Sequence, residues 1–165
     1  MSWTIERPSV DDADEMALVH VTVWREAYAG LMPADHLAGL DPTAFAASWR
    51  RRLADPVPGV HTWVSRDEQG ICGLVTAGSA RDEDAPTPEE LYAINVLRRA
   101  HGTGLARALL RQAIGDRAAY LWVLDGNLRA EAFYRRHGFT DEGGRKAEPG
   151  TGVTEIRMCR DAVAP

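Results

Sequence analysis

The stretch "INVLRRAHGTGLARALL", residues 94–110, restricts most severely what this chain can fold into. It begins as the end of an apolar run, passes through Gly102 and Gly104, and continues at once in a helical pattern. Glycine turns readily with positive φ and lets a backbone approach a ligand closely. A helix start presents N–H groups with no acceptor inside the helix. A strand that turns through two glycines straight into a helix therefore predicts an anion site, and a phosphate above all.

Around this junction the pattern is that of an α/β chain. "WTIERP" predicts a short strand ended by Pro8. Asp11, Asp12, Asp14 and Glu15 then crowd a helix start, where the helix dipole favours acids, with Met16, Val19, Val23 and Trp24 along a helical stripe and Gly30 beyond its end. "PTAFAASWRRRL" predicts a second helix with proline in its first turn. "VHTWVSR", a turn at "DEQG", and "ICGLVTAGSA" form a hairpin signature. "ELYAINV" and "AAYLWVLD" are apolar strands that bracket the helix "GLARALLRQAIGD". "NLRAEAFYRRHGF" is a helix capped by Asn127 and stopped by Gly138, and "VTEIRMCR" is a final strand. The order predicts one mixed sheet with helices on both faces, in a single domain spanning 1–165. At 165 residues such a domain buries a core without staples.

Composition excludes several partners. A net charge of −5 disfavours general nucleic-acid binding. No run is long enough to span a bilayer and "MSWTIERPSV" has no apolar signal segment, so no membrane partner and a cytoplasmic location are expected. Cys72 and Cys159 lie in strand-like stretches, outside any C-x-x-C pair, and are read as inert. Lys146 is the single lysine, a bias read as a coding preference for arginine.

Which phosphate ligand fits is narrowed by elimination. No G-x-x-x-x-G-K-[ST] string is present, which removes P-loop nucleotide hydrolysis. A dinucleotide fold would use Gly102 and Gly104 with Asp125 at the next strand end, but Arg107 occupies the third glycine position and too little chain follows for the remaining strands.

The stretch His101-Gly102-Thr103-Gly104-Leu105-Ala106 resembles motif A of the GCN5-related N-acetyltransferases, the GNAT family, with His101 in place of the usual Gln or Arg. Downstream, Asn127, Ala130, Phe133, Tyr134, Gly138 and Phe139 fall on that family's motif B, one helix and one strand later. The resemblance implies a mostly antiparallel sheet of six to seven strands with a splayed strand pair. It implies acetyl-CoA as cosubstrate, no metal, and an acyltransferase activity toward a primary amine, of a small molecule in preference to a protein, with a protein amine as the alternative. A non-catalytic acyl-CoA sensor or regulatory module is the competing class, and a homodimer is a family habit.

The same resemblance assigns site residues. The loop 101–106 would hold the pyrophosphate through main-chain N–H groups. Ile94, Asn95 and Val96 would offer backbone groups to the acetyl carbonyl and the pantetheine arm, and Asn127 would cap its helix and touch that arm. Glu90 is the proton acceptor for the attacking amine, because an alkylammonium near its reference pKa of about 10.4 must lose a proton first. Tyr134 is the acid facing the departing sulfur. Some of Arg98, Arg99, Arg107, Arg135 and Arg136 would meet the 3′-phosphate. On the acceptor side, Trp24 and Tyr28 share a helix face, His20 and His61 are read as structural, and "RDEDAPTPEE" is either a lure for cations or soluble coil.

Overall fold

A computed structural model of the chain describes residues 2–163. Its strands are β1 (Thr4–Glu6), β2 (His61–Asp67), β3 (Gly70–Ser79), β4 (Glu89–Val96), β5 (Ala119–Leu124), β6 (Thr140–Ala147) and β7 (Thr154–Arg160). They form one seven-stranded sheet in the order β1-β2-β3-β4-β5-β7-β6. The helices are α1 (Ala13–Ala27), α2 (Ala34–Ala38), α3 (Pro42–Ala54), α4 (Leu105–Ile114) and α5 (Leu128–Arg136). The expected mixed, mostly antiparallel sheet is present, since every neighbouring pair but β4–β5 is antiparallel.

Alternation along the strands sorts side chains into two layers. Val75, Leu121, Val123 and Met158 face α4 and α5, packing with Leu105, Leu109 and Phe139. Val64, Ile71 and Leu74 face α1 and α3, packing with Met16, Val19 and Trp49. Side chains cap two helix starts, and of these Asn127 is the one read from the sequence. Asp41 accepts the Thr43 N–H at 2.8 Å at the start of α3, and Asn127 accepts the Ala130 N–H at 3.2 Å at the start of α5.

Two elements are not marked by the residue pattern. Strand β6, "TDEGGRKA", is exposed along almost its whole length, so no apolar alternation reveals it. Its ladder to β7 is interrupted between Asp141 and Arg145 and creates the strand from outside. Helix α2 is a single short turn whose one buried residue is Leu37.

The junction of β4 with β5 shapes the whole molecule. These parallel neighbours pair at one position, Glu90 with Tyr120, and nowhere else along their length. That vertex is clamped by side chains. The Glu90 carboxylate accepts the Tyr120 hydroxyl at 2.9 Å, the Arg81 Nε–H at 3.0 Å and the Arg81 backbone N–H at 3.1 Å. Glu90 is 1% exposed, so these donors replace its water. Replacing Glu90 by Ala removes charge-assisted bonds with a net worth of roughly 1.5–3 kcal/mol. Calorimetry of Glu90→Ala should show a midpoint lowered by roughly 5–10 °C.

His20 supplies a second test of the packing. Its ring stacks between Trp24 (5.1 Å) and Phe45 (4.4 Å), and neither ring nitrogen has a hydrogen-bond partner among the described residues. Burial pushes its pKa down to about 4, with the Arg52 charge acting the same way. Between the ordinary value near 6.5 and about 4, the unfolded chain takes a proton that the folded chain refuses, so His20 lowers stability as pH falls through that window. Denaturant melts of His20→Phe should lose this part of the pH dependence while wild type retains it.

Candidate active site

Beyond the Glu90–Tyr120 vertex, β4 and β5 part and a cleft of about 750 Å³ opens between them. Residues of α1, β4, β5, α4 and α5 line it. A strand whose partner departs keeps a row of N–H and C=O groups without a ladder. On β4 that row runs beside Ile94, Asn95 and Val96, all of which line the cleft. Asn95 is 4% exposed and its side-chain Nδ2 has no partner among the described residues.

At one end of the cleft, β4 leads through a short 3₁₀ turn, Arg98–Ala100, into α4. Gly102 and Gly104 take φ of +77° and +85°, a region that L side chains avoid. A Cβ at either would meet nothing within 4 Å, so backbone conformation, not crowding, selects glycine here. No side chain caps α4, and its first intrahelical bond runs from Ala108 N–H to the Gly104 carbonyl. The N–H groups of Leu105, Ala106 and Arg107 are therefore left for another acceptor. These three residues line the cleft with His101, Gly102 and Gly104. Thr103 does not: its hydroxyl turns back to the Ala100 carbonyl at 2.8 Å. His101 gives its Nε2–H to the Val96 carbonyl at 3.0 Å, tying the strand end to the loop, and burial pushes its pKa down. The imidazole is thus a neutral brace.

Arginines divide by partner. Arg99 is held by Asp67 at 3.0 Å and Arg135 by Glu131 at 2.8 Å, and neither lines the cleft. Arg98, Arg107 and Arg136 do line it, joined by Arg129, which the sequence pattern does not single out. Four lining arginines and an uncapped helix start make the cleft suited to polyanions.

Tyr134 projects from α5 into the middle of the cleft, packed edge-on against Phe133 and Phe139. Burial, with the Tyr28 phenol nearby, pushes its pKa up from the ordinary value, so the phenol keeps its proton throughout the physiological range. Asn127, besides capping α5, lines the same wall.

Glu90 lies elsewhere. It does not line the cleft, and the Arg81 and Tyr120 donors already occupy its carboxylate. Those donors give Glu90 a framework role at the vertex, set back from the residues that line the cleft. The cleft's carboxylates are instead Glu26 and Glu155. Burial pushes the Glu155 carboxyl up, Lys146 draws it down, and Glu148 adds to the rise.

Trp24, Tyr28, Tyr92 and Trp122 form aromatic walls of the same cleft. Trp24 and Tyr28 meet edge-on at 5.1 Å, and burial, followed by the Glu155 and Glu148 charges, pushes the Tyr28 pKa up to about 12. The Trp122 indole N–H donates to Asp82 Oδ2 at 2.7 Å, which fixes the ring. The acidic loop is thereby accounted for. Its charges hold Trp122 and Arg157 and, through Glu89, Arg117, so it is part of the frame. Trp122 and Glu155 escape sequence reading because their shared face depends on the register of β5 against β7, which sets Leu124 opposite Glu155.

Comparison with known proteins agrees with this geometry. Residues 58–141 match the family model described as acetyltransferase (GNAT) domain. The chain is 31% identical over 131 residues to the uncharacterized N-acetyltransferase YuaI of Bacillus subtilis (strain 168), covering 75% of this chain and 73% of that one. It is 30% identical over 141 residues to the uncharacterized N-acetyltransferase Rv2669 of Mycobacterium tuberculosis (strain ATCC 25618 / H37Rv), covering 81% and 86%. The crystal structure of the PaiA N-acetyltransferase from Thermoplasma acidophilum, in complex with coenzyme A, superposes with a TM-score of 0.73 over 98% of this chain and 99% of that one, at 16% identity. Sequence relatives, fold and a strand pair that separates after one contact converge on one conclusion: this chain belongs to the GNAT family of acetyltransferases.

Proposed function

We propose that the protein transfers the acetyl group of acetyl-CoA to a primary amine on a small molecule. The observation that carries this reading is one cleft lined by the uncapped α4 start, four arginines, Tyr134, and an aromatic group with Glu155. The residues present fit CoA. Uncapped N–H groups at Leu105, Ala106 and Arg107 suit a pyrophosphate, and Arg98, Arg107, Arg129 and Arg136 supply cations for its phosphates. The open edge of β4 suits the amides of a pantetheine arm. The Asn95 side-chain N–H, buried without a partner, is a further donor held ready there.

The cosubstrate supplies an activated acyl group on sulfur; the protein's part is orientation and proton handling. Backbone N–H on β4 near Ile94 stabilises charge that develops on the carbonyl oxygen. The proton acceptor is Glu155, whose raised pKa makes it a stronger base than an exposed carboxylate. Tyr134 faces the departing sulfur. A thiol with a pKa near 8.5 is a stronger acid than this phenol, so Tyr134 acts first as a hydrogen-bond donor to the sulfur, and the proton that finally rests there comes from the amine.

Thiol release from acetyl-CoA over a panel of small primary amines tests the reading. Amine-dependent release is expected; tight CoA binding with no release by any amine would favour a sensor. Tyr134→Phe should lower kcat by roughly a hundredfold while changing acetyl-CoA affinity less than about twofold. Gly104→Val forces a β-branched residue into a left-handed backbone at about 1–2 kcal/mol. Titration calorimetry should record acetyl-CoA binding weakened by roughly tenfold in that variant, with the thermal midpoint lowered by about 3–7 °C.

A further inference from the structure

Two residues that line the cleft already hold a cation, and it belongs to the chain. Lys146 Nζ lies 3.3 Å from Glu155 Oε2 and 4.3 Å from the centroid of the Trp122 ring. An ammonium between a carboxylate and an indole face is bound from two sides, by charge and by the ring quadrupole. Both partners line the cleft, whereas Lys146 does not and reaches in from β6, at the sheet edge. We infer that Glu155 and Trp122 form the seat for the acceptor's primary ammonium group, and that Lys146 occupies this seat as a displaceable stand-in. This inference rests on the reading of the cleft as an amine acetylation site and names the group by which that amine is held.

The seat itself is rigid and its occupant is not. Trp122 is fixed through its indole N–H by Asp82 at 2.7 Å. Glu155 is held in the β5–β7 ladder opposite Leu124, with its side chain 16% exposed. The Lys146 side chain is 41% exposed on a flexible four-carbon stem, so it can swing into solvent and leave its charge hydrated. The other cation near the ring, Arg157 at 5.3 Å, is bound by Asp84 and Glu142 and stays in place. Once Lys146 leaves, a half-buried carboxylate with Glu148 nearby is without its counter-ion, a state that favours an incoming cation.

Walls beside the seat select the body that the ammonium carries. Tyr28 and Trp24 continue from Trp122 as an apolar surface. The acceptor class is therefore a compact primary ammonium on an aromatic or aliphatic body, in preference to a polyanionic or strongly hydrated one.

Equilibrium binding separates this inference from the catalytic reading. With the protein saturated in CoA, tryptophan fluorescence is titrated with benzylamine and with benzyl alcohol, which is similar in shape but uncharged. Lys146→Met removes the resident ammonium and keeps the stem. It should tighten benzylamine roughly threefold to tenfold and leave benzyl alcohol unchanged. Glu155→Gln should weaken benzylamine alone. Benzylamine binding that is unchanged or weaker in Lys146→Met, or a loss in Glu155→Gln shared equally by both probes, overturns the seat. If Glu155→Gln fails to fold, Lys146→Met decides alone, since its site is an exposed edge strand. Failure of acetyl transfer with intact benzylamine discrimination would instead count against the proposed activity and leave the seat standing.

Discussion

One contact and its loss organise this molecule. Parallel strands β4 and β5 touch at Glu90 and Tyr120 and then separate. A sheet that simply continued its ladder would satisfy its backbone internally and leave nothing to bind with. Because it does not, β4 keeps a usable edge in the middle of the fold, walled by helices from both faces. The clamp at the vertex, built from Glu90, Arg81 and Tyr120, is what stops the strands from zipping shut or falling apart.

Charge is distributed by the same logic. With a net charge of −5 the chain still lines its cleft with four arginines, while several of its acids are engaged by arginines of the frame. Arg81, Arg99, Arg117 and Arg157 are paired with Glu90, Asp67, Glu89 and Asp84. The arginines that line the cleft lack such partners among the described residues, so their field is available to a ligand. At Glu155 the balance reverses: its carboxylate holds a mobile ammonium, and the local demand is for a cation. On the proposed reading, a cosubstrate rich in phosphate and an acceptor that arrives as an ammonium would be drawn to different parts of one cleft.

What could be read from residues alone was local. The glycine turn before α4, the Asn127 cap, the apolar stripe of α4 and the alternation of the inner strands all follow from interactions within a few residues, and all appear where expected. The resemblance to GNAT motifs rested on that same short-range grammar. Strand β6 escaped because an exposed edge strand carries no apolar period, and its pairing comes entirely from β7.

The sequence by itself determined the family, the glycine turn before α4 and the place of Tyr134 on α5, since helix caps, positive-φ glycines and strand periods are short-range consequences of residue type. Only the tertiary structure decided what Glu90 does and which acid faces the cleft. Side-chain partners such as Arg81, Tyr120, Lys146 and Trp122 are set by sheet register and strand order, which join residues far apart in the chain. A carboxylate's role depends on the donors that surround it and the water it has lost, and neither is written at its own position.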